Sequence, residues 1–575
     1  DWLNSHSVSA VFIDFRYRAE WCRVEVMFAQ LVVVSTLAPA LVLGQGISYR
    51  AAVVEFTSED PDSLPITLDA ARGLMLRNVA TAEAWAAKAA AQGAQIVVFP
   101  EDFASSGWAL YNMPVAARPL YSEALPEPGP ASMCTEGESP TPVARALACV
   151  ARKHGILLVT GFADTGPCVS PPINPFTGNP WPCDRATNRT QFNAQVAFAH
   201  NGSLLAVHRK SHLAQLWPAI GEGYEEQFAE ESTPDVVTFD SHFGVKFGML
   251  ICNEINFGGP PRALIRSGVH DFVLSSFWVN GYPWFTAIGA EDGFARAHGV
   301  NVLAANQDWE GRANSGSGIW PANTSAPFVQ HRNTGSEKSD GWMGIVDLTS
   351  PTTSSPVPAP VSHPTAAASL ALGASEGVRF SPRVGSSIEL EAAAPNVTCS
   401  LKAEVKRGGG HYALIASAGL DMGGWYSARC IVVACKQRFM QDPNCEYTPT
   451  AIVPGGGAVF SSLELEMYAP SGNAFFPSAL CAGGEVPSPR SALEVTETRK
   501  TRSMHLSADC PLLTAYFDGR AQSEDERPDC PPEMRVKVDT LTYLTKTGGA
   551  VAGSLPSISW KRGRSSARAI SAKGV

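Results

Sequence analysis

The stretch GMLICNEINF, residues 248–257, holds an apolar run that ends on a cysteine and is followed at once by polar residues. A short apolar run of this length is typical of a buried strand. A cysteine at the end of such a strand stands above the sheet edge, where the next backbone N–H, that of Asn253, can point at a developing oxyanion. Cys252 is therefore a candidate nucleophile, and a buried structural thiol is the alternative interpretation.

Strands alternate with helical patterns on both sides of this stretch, across residues 49–348. Strands are predicted at YRAAVVEF, QIVVF, ILLVTGF, DFVLSSFW and NVLAAN, and a hairpin is predicted at Asn201-Gly202. Helices are predicted at TPVARALACVARKHG, from Pro261 to Gly268, and over residues 287–297. Alternation of this kind indicates a layered α/β fold. A further amphipathic helix before Gly93 is predicted from the stripe Ala71, Met75, Val79, Ala82, Ala86 and Ala89.

The composition is that of a globular protein with more than one domain. The chain has 575 residues, of which 45% are hydrophobic and 17% charged, and its net charge is -10. The acidic excess and the lack of a central basic patch in the sequence lead us to expect no nucleic-acid partner.

The amino end is interpreted as a targeting segment. Residues 27–46 read MFAQLVVVSTLAPALVLGQG, a short apolar core that ends in small residues and predicts a secretory signal. Residues 1–48 are therefore assigned to an upstream extension and this signal, and a signal anchor is the competing interpretation. The polar, basic carboxyl end argues against a lipid anchor, so we expect a secreted protein without a stable membrane anchor.

The rest of the chain divides at a Pro/Ser/Thr-rich linker predicted at residues 349–378. Beyond it, residues 379–520 have β-rich patterning and many cysteines, and residues 521–575 are predicted to be a flexible tail. Eleven of the 13 cysteines remain after Cys22 and Cys252 are set aside, which favours disulfides and export. The pairs Cys134/Cys149 and Cys168/Cys183 bracket loops, but connectivity stays open. Four sequons also fit a secreted glycoprotein: Asn188, Asn201, Asn323 and Asn396.

Two other strand ends supply residues that could act with Cys252. Glu101 follows a buried strand in VVFPEDF, and Lys210 ends a hairpin strand in AVHRKSH. A carboxylate can accept the thiol proton, and an ammonium can lower the thiol pKa and stabilise an anionic tetrahedral intermediate. The alternative interpretation of Glu101 is an ordinary loop carboxylate, and that of Lys210 is a solvated charge on a hairpin.

Taken together and in order, six segments resemble the vanin and biotinidase branch of the nitrilase superfamily. The resemblance is close over residues 49–330 and looser over residues 396–477. It implies a four-layer α-β-β-α sandwich with a Glu-Lys-Cys triad, matching Glu101, Lys210 and Cys252, followed here by a smaller disulfide-stapled β-rich domain. The segments are IVVFPEDFASSGW, VHRKSHL, EEQF, FGMLICNEINF, GVNVLAAN and SGSGIWPAN.

The same resemblance implies supporting residues and marks two departures. A family glutamate that orients the lysine matches Glu225 in EEQF, with Glu226 as the rival position. Glu254 stands where this branch usually carries an aspartate, and LAQLWPAIGEGY is interpreted as an insertion. Both departures leave the triad intact and put the substrate in doubt.

The activity implied by the resemblance is hydrolysis of a small vitamin-type amide through a thioester. The expected substrates are pantetheine, giving pantothenate and cysteamine, or biocytin, giving biotin and lysine. No metal or cofactor is required. Trp278 and Asn280 are candidate pocket residues, although an aromatic there is more often core packing. A catalytically silent binding glycoprotein and an acyltransferase that uses an amine in place of water stay open as alternatives.

Overall fold

The computed structural model describes most of the chain from Gly46 to Ala521. The described residues are 46–61, 67–106, 115–170, 180–213, 228–229, 236–257, 259–280, 286–308, 314–333, 340–351, 374–395, 397–420, 426–435, 457–468, 473–481, 485–497, 501–507 and 512–521.

The first part of the chain alternates strands and helices, as the sequence predicts. The helices are α1 (Leu68–Ala91), α2 (Pro142–His154), α3 (Pro261–Arg266) and α4 (Ala287–His298), with short 3-10 helices at Val115–Tyr121 and Cys252–Asn256. The strands are β1 (Ser48–Glu55), β2 (Ile96–Val98), β3 (Leu157–Pro167), β4 (Arg189–Phe198), β5 (Leu204–Arg209), β6 (Thr238–Asp240), β7 (Lys246–Ile251), β8 (Asp271–Ser276), β9 (Asn301–Asn306), β10 (Ser317–Trp320), β11 (Val329–His331) and β12 (Trp342–Thr349).

These strands form two six-stranded sheets. Sheet I has the order β12-β1-β2-β3-β4-β5, and sheet II has the order β11-β10-β9-β8-β7-β6. In both sheets three central strands are parallel, β1 with β2 and β3, and β7 with β8 and β9, while the flanking pairs are antiparallel. Parallel neighbours need a crossover, which α1, α2, α3 and α4 supply.

Alternate residues of β1 separate two hydrophobic cores. Ala51 and Val53 pack between the sheets with Met249 of β7, whereas Ala52 and Val54 pack on the other face of sheet I with α1 and α2. This alternation follows from the two-residue period of a strand, which sends successive side chains to opposite faces.

The outer face of sheet II is covered in the same way by α4. Leu250 of β7 and Leu274 of β8 share a core with Phe294 of α4. The four layers, helix, sheet, sheet and helix, confirm the predicted α/β sandwich.

The predicted helical stripe is buried along its whole length. All six stripe residues of α1 lie in the core, and the Thr67 hydroxyl caps the helix by accepting a hydrogen bond from the Ala70 N–H at 3.2 Å. Gly93, just past the helix, has a φ of 80°, which only glycine adopts without strain. The helix predicted from Pro261 also forms and ends before Gly268.

The longer elements described after β12 are all β-strands. Sheet III has the order β13-β16-β17-β22-β19 and sheet IV the order β14-β15-β18-β21-β20. The strands are β13 (Ala374–Phe380), β14 (Ser387–Ala394), β15 (Val397–Arg407), β16 (His411–Leu420), β17 (Tyr426–Cys435), β18 (Val459–Tyr468), β19 (Asn473–Cys481), β20 (Leu493–Glu497), β21 (Thr501–Leu506) and β22 (Leu512–Ala521), with a 3-10 helix at Arg490–Ala492.

Three disulfides join pairs of described cysteines, and Cys435 and Cys481 are disulfide-bonded as well. Cys399 of β15 pairs with Cys430 of β17 and so joins sheet IV to sheet III, which confirms a disulfide-stapled β-rich domain. Cys134–Cys149 and Cys168–Cys183 close the two loops of the first domain that the sequence marks.

The β-rich domain packs on α4. A Cβ added at Gly293 would lie 2.9 Å from the Cβ of Phe476 on β19, so the two backbones approach closely only because residue 293 is glycine. Arg490 donates from Nε to Asp292 at 2.7 Å and from its guanidinium to the Pro321 carbonyl at 2.6 Å. Helix α4 therefore packs against sheet II and also against the β-rich domain.

The domain limits differ slightly from those expected. β12 ends at Thr349 and β13 begins at Ala374, so residues 374–378, which we assigned to the linker, pair with β16 as a strand instead. β1 begins at Ser48 and β22 reaches Ala521. The signal, most of the linker and the tail beyond residue 521 lie outside the described residues, and their boundaries stay predictions. In the part of the chain described, no helix is both long and apolar enough to cross a membrane.

Candidate active site

Cys252 stands directly after β7, where the strand gives way to the 3-10 helix Cys252–Asn256. Its φ is 47°, in the left-handed region that a non-glycine residue adopts only when its surroundings impose it. The side chain is 8% exposed and is not part of a disulfide. A strained strand-to-helix turn with a nucleophile at its tip is the geometry that raises a reactive atom above a sheet.

Glu101 follows β2 and is almost fully buried, at 1% exposure. Its Oε1 accepts hydrogen bonds from Asn193 Nδ2 and Lys210 Nζ, each at 2.6 Å, and its Oε2 accepts one from the Phe277 N–H at 2.6 Å. These donors fix both carboxylate oxygens in one orientation.

Lys210 comes directly after β5 and is 2% exposed. Its ammonium forms a buried ion pair with Glu101, and its backbone N–H donates to the Asn193 carbonyl at 2.8 Å. A buried charge needs a partner of opposite sign, which each of these two residues supplies to the other.

Strand register places Cys252 one strand away from the hydrogen bond that joins Glu101 to sheet II. Ile251, the residue before it, is the Cα partner of Ser275 on β8, and the next residue, Ser276, accepts a hydrogen bond from the Glu101 N–H at 3.3 Å. β2 and β5 belong to sheet I and β7 and β8 to sheet II, and the Glu101–Ser276 hydrogen bond joins the two sheets where these strands end. We call this region, where β2, β5, β7 and β8 end, the rim.

A second buried carboxylate, Glu254, ties the Cys252 turn to the lysine segment. Its Oε1 accepts from the Ser211 N–H at 2.6 Å and the Ser211 hydroxyl at 2.9 Å. Its Oε2 accepts from the Ile251 N–H and from His208 Nε2, each at 2.7 Å. We call Glu254, His208, Ser211 and Ile251 the latch, because the Glu254 carboxylate joins the end of β7 to the segment around Lys210.

The electrostatics of the latch favour a charged Glu254. Burial raises the pKa of this carboxyl, but the charge and hydrogen bond of His208 and the N–H groups of Ser211 and Ile251 outweigh it and lower the pKa to about 2. Glu254, interpreted from the sequence as a departure that bears on substrate, thus holds the site together from within the core.

Three residues that the sequence analysis did not single out also position Glu101. Asn193 bonds its carboxylate, and Gln307 Nε2 donates to its carbonyl oxygen at 2.8 Å. A Cβ added at Gly161 would lie 2.5 Å from the Glu101 Cα and 2.1 Å from the Asp102 nitrogen, so the backbone there can approach only a glycine. Gln191, Asn193 and Gln195 alternate with Phe192 and Ala194, a signal that could have pointed to a polar face of β4.

The remaining predicted site residues have other surroundings. Asn253 lies in the first turn after Cys252, and its Oδ1 accepts from Asn256 Nδ2 at 2.8 Å. Trp278 is 1% exposed and belongs to the hydrophobic core of sheet II, as the packing interpretation expects. Asn280 bonds the Ser315 carbonyl at 2.7 Å and the Ala287 N–H at 2.9 Å, and so braces the start of α4. Glu225 lies outside the described residues.

Comparison with known proteins agrees with this geometry. Residues 72–290 match the family described as carbon-nitrogen hydrolase. This part of the chain is therefore similar to carbon-nitrogen hydrolase domains, and curated proteins named biotinidase and pantetheinase are among its relatives.

The relatives are found at moderate identity. A biotinidase from Takifugu rubripes is 33% identical over 280 residues, covering 48% of this chain and 51% of that protein. A pantetheinase from Sus scrofa is 33% identical over 290 residues, covering 49% and 52%. The chain thus spans about half the length of these two relatives. A pantetheinase from Bos taurus is 27% identical over 524 residues, covering 87% of this chain and 94% of that protein.

A solved structure of an amidase from Nesterenkonia sp. aligns with a TM-score of 0.34 and 20% identity, covering 54% of this chain and 94% of that chain.

Proposed function

We propose that the chain is a secreted amidase that hydrolyses a linear carbon-nitrogen amide of a small vitamin-type substrate, with Cys252 as nucleophile. The observation that carries the proposal is the buried ion pair of Glu101 and Lys210 at the same rim as a cysteine held at a φ of 47°. A carboxylate, an ammonium and a thiol that each follow a strand ending at the rim are the parts that acyl transfer through a thioester needs.

In the first half-reaction the Cys252 sulfur attacks the amide carbonyl carbon, and Glu101 accepts the thiol proton. The ammonium of Lys210 and the N–H of Asn253 stabilise the oxyanion of the tetrahedral intermediate. The carbon-nitrogen bond then breaks as Glu101 returns the proton to the leaving amine. The acyl group is left as a thioester on the cysteine.

In the second half-reaction a water molecule attacks the thioester, and Glu101 accepts its proton. The carbon-sulfur bond breaks, the acid leaves, and the proton returns to the thiol. The Glu101–Lys210 contact supports both roles of the carboxylate, because the ammonium favours its charged form before each proton transfer.

Pantetheine and biocytin are the substrates to test first, since the relatives in the comparison are named pantetheinase and biotinidase. We expect a correctly folded full-length protein to release amine and acid from one of them, and we expect Cys252→Ser and Cys252→Ala to lose turnover. A hydrolase releases the free acid when no amine has been added, whereas an acyltransferase needs an added amine acceptor for turnover.

Turnover of neither substrate by the wild type would contradict the substrate class. Labelling with iodoacetamide then separates the remaining possibilities. A labelled Cys252 would indicate a reactive thiol that acts on another amide, whereas an unlabelled one would favour the binding glycoprotein.

We further propose that the protein is exported and glycosylated. Disulfides such as Cys399–Cys430 persist mainly in oxidising compartments. Asn188, Asn201 and Asn323 are exposed, as a glycan acceptor must be, and Asn396 lies outside the described residues.

A further inference from the structure

A cluster of three potential metal ligands lies outside the catalytic residues. Glu55 ends β1, Asp308 follows β9, and His331 ends β11. The nearest ligand atoms of the three side chains all lie within 4.8 Å of one another. Three separate segments of the chain therefore bring two carboxylates and one imidazole to one point.

Two of these side chains carry buried polar atoms that lack hydrogen-bond partners. Asp308 is 1% exposed, and its Oδ2 has no partner among the described residues. The Nε2 of His331 likewise has none in that part of the chain and faces Glu55 Oε1 at 3.9 Å. Buried polar atoms are nearly always satisfied, so an atom left in this state indicates a ligand that completes it.

Other residues hold the three side chains in place. The Ser315 hydroxyl and the Gly316 N–H donate to the two Glu55 oxygens at 2.5 and 3.1 Å. Asn333 Nδ2 donates to Asp308 Oδ1 at 2.8 Å, and the His331 ring stacks on Trp342. Hydrogen bonds that orient the ligands from behind are a usual feature of protein metal sites.

We propose that Glu55, Asp308 and His331 bind a divalent transition-metal ion of the zinc class. One imidazole nitrogen with carboxylate oxygens is a donor set that suits Zn²⁺, whereas Ca²⁺ and Mg²⁺ prefer oxygen alone. Ligand atoms about 2.0–2.1 Å from a tetrahedral zinc ion lie about 3.3 Å from one another, so donor atoms that lie within 4.8 Å must move together by up to about 1.5 Å when the ion binds.

The charge at this point also favours a cation. Glu55 and Asp308 place two carboxyl groups close together in buried surroundings, and a divalent ion supplies the opposite charge that such a pair needs.

The ion's role would be structural, because the cluster contains no catalytic residue and contacts the rim only through neighbouring residues that support it. Gln307, next to Asp308, bonds the Glu101 carbonyl, and Ser315, which bonds Glu55, also accepts from Asn280. Binding of the ion would stiffen the loops behind Glu101 without taking part in the thioester chemistry.

The test is calorimetric titration of the full-length, chelator-treated protein with Zn²⁺, together with thermal unfolding with and without the metal. Asp308→Asn keeps the side-chain shape, and His331→Phe keeps the ring on Trp342. We expect one ion per chain in the wild type and a loss of affinity of more than about tenfold in either variant. Zinc should raise the unfolding temperature of the wild type and not that of the variants.

The matched control is His242→Phe. His200 and His242 stack with ring centroids 4.0 Å apart on the exposed surface and are the competing place for adventitious zinc. This variant should bind zinc as the wild type does. The proposal is overturned if folded wild type binds no zinc, if Asp308→Asn and His331→Phe bind it equally well, or if His242→Phe abolishes binding.

Discussion

The rim holds two buried glutamates, each of which pairs with a basic residue at the end of β5. Glu101 bonds Lys210, and Glu254 bonds His208, two positions earlier on the same face of the strand. The partners around them differ. Glu254 accepts four hydrogen bonds that join the Cys252 turn to the lysine segment, whereas the contacts of Glu101 orient it beside an ammonium.

The comparison separates two uses of a buried carboxylate. A carboxylate that joins two segments contributes mainly to stability, and one that is held beside a charged amine at the edge of a sheet is available for proton transfer. Both residues are buried glutamates, so only their hydrogen-bonding partners distinguish the structural role from the catalytic one. Variants that change one partner at a time can break or sharpen this distinction.

The largest effect is expected from the Glu101–Lys210 pair. Removal of one member of a buried ion pair destabilises a protein by about 3–5 kcal/mol, because the other charge is left uncompensated. Glu101→Gln and Lys210→Met should each lower the free energy of unfolding by this amount, and the double variant by less than their sum. All three should lose turnover, measured as release of amine.

The double variant should therefore lose less stability than the sum of the two single variants and still lose turnover. It is the control for both of them. Wild-type turnover in either single variant would mean that the ion pair is structural, like the latch.

The next effect is expected at Gly161, whose backbone lies against Glu101. A Cβ there would meet the Glu101 Cα at 2.5 Å, so Gly161→Ala should displace the carboxylate and lower kcat by about 100-fold. Gly129→Ala is the matched control, because a Cβ at that position meets nothing within 4 Å. Steady-state kinetics on both variants would contradict this assignment if they gave equal kcat values.

A smaller effect on turnover, with a clear pH signature, is expected at the latch. The Glu254 carboxyl has an ordinary pKa of 4.5 and a folded-state pKa of about 2, because its donors outweigh the opposing effect of burial. Its charged form therefore stabilises the fold above about pH 4.5, and this contribution is lost as the pH falls towards 2. At neutral pH, Glu254→Gln should cost roughly 3 kcal/mol of unfolding free energy.

Unfolding measured at several pH values checks this prediction. The difference between wild type and Glu254→Gln should shrink from pH 4.5 to pH 2, while kcat falls far less than in Lys210→Met. Glu83→Gln is the control, since Glu83 forms an exposed pair with Lys153 that is worth at most about 1 kcal/mol. A constant difference across this pH range would rule out a charged Glu254.

The smallest effect is expected on the outer surface. Asn323→Gln removes a sequon whose asparagine is exposed and bonds only locally, through Oδ1 to the Ser325 N–H at 3.0 Å. Protein expressed through a secretory pathway should lose the mass of one glycan and keep its turnover. A mass unchanged by the substitution would show that this sequon is not used.

The layered fold could be predicted from the sequence because its signals are local. The stripe of α1 follows the helical period, and the hairpin at Asn201-Gly202 follows from turn chemistry, so both form where expected. The start of β13 at Ala374 was not predicted, because the small and polar residues there do not alternate between apolar and polar as a half-buried strand does. Their pairing with β16 is a long-range contact that no local pattern encodes.

The site was predictable to the extent that strand ends mark it. Glu101, Lys210 and Cys252 each follow a strand, and the structure places the first two in contact. Asn193, Gly161 and the latch depend on register between strands distant in the sequence, so their partners could not be assigned from spacing alone. His208, on the same face of β5 as Lys210, was the one local signal for the latch.

The most direct test of the central claim is the mass of the Cys252 peptide during turnover. The reaction with pantetheine or biocytin would be stopped by acid in the steady state, and the digested protein examined by mass spectrometry. The account predicts the added mass of the acyl group on Cys252 of the wild type, and no acyl mass on this peptide in Cys252→Ala. Substrate turnover with no acyl mass on Cys252, or with undiminished rate in Cys252→Ala, would contradict it.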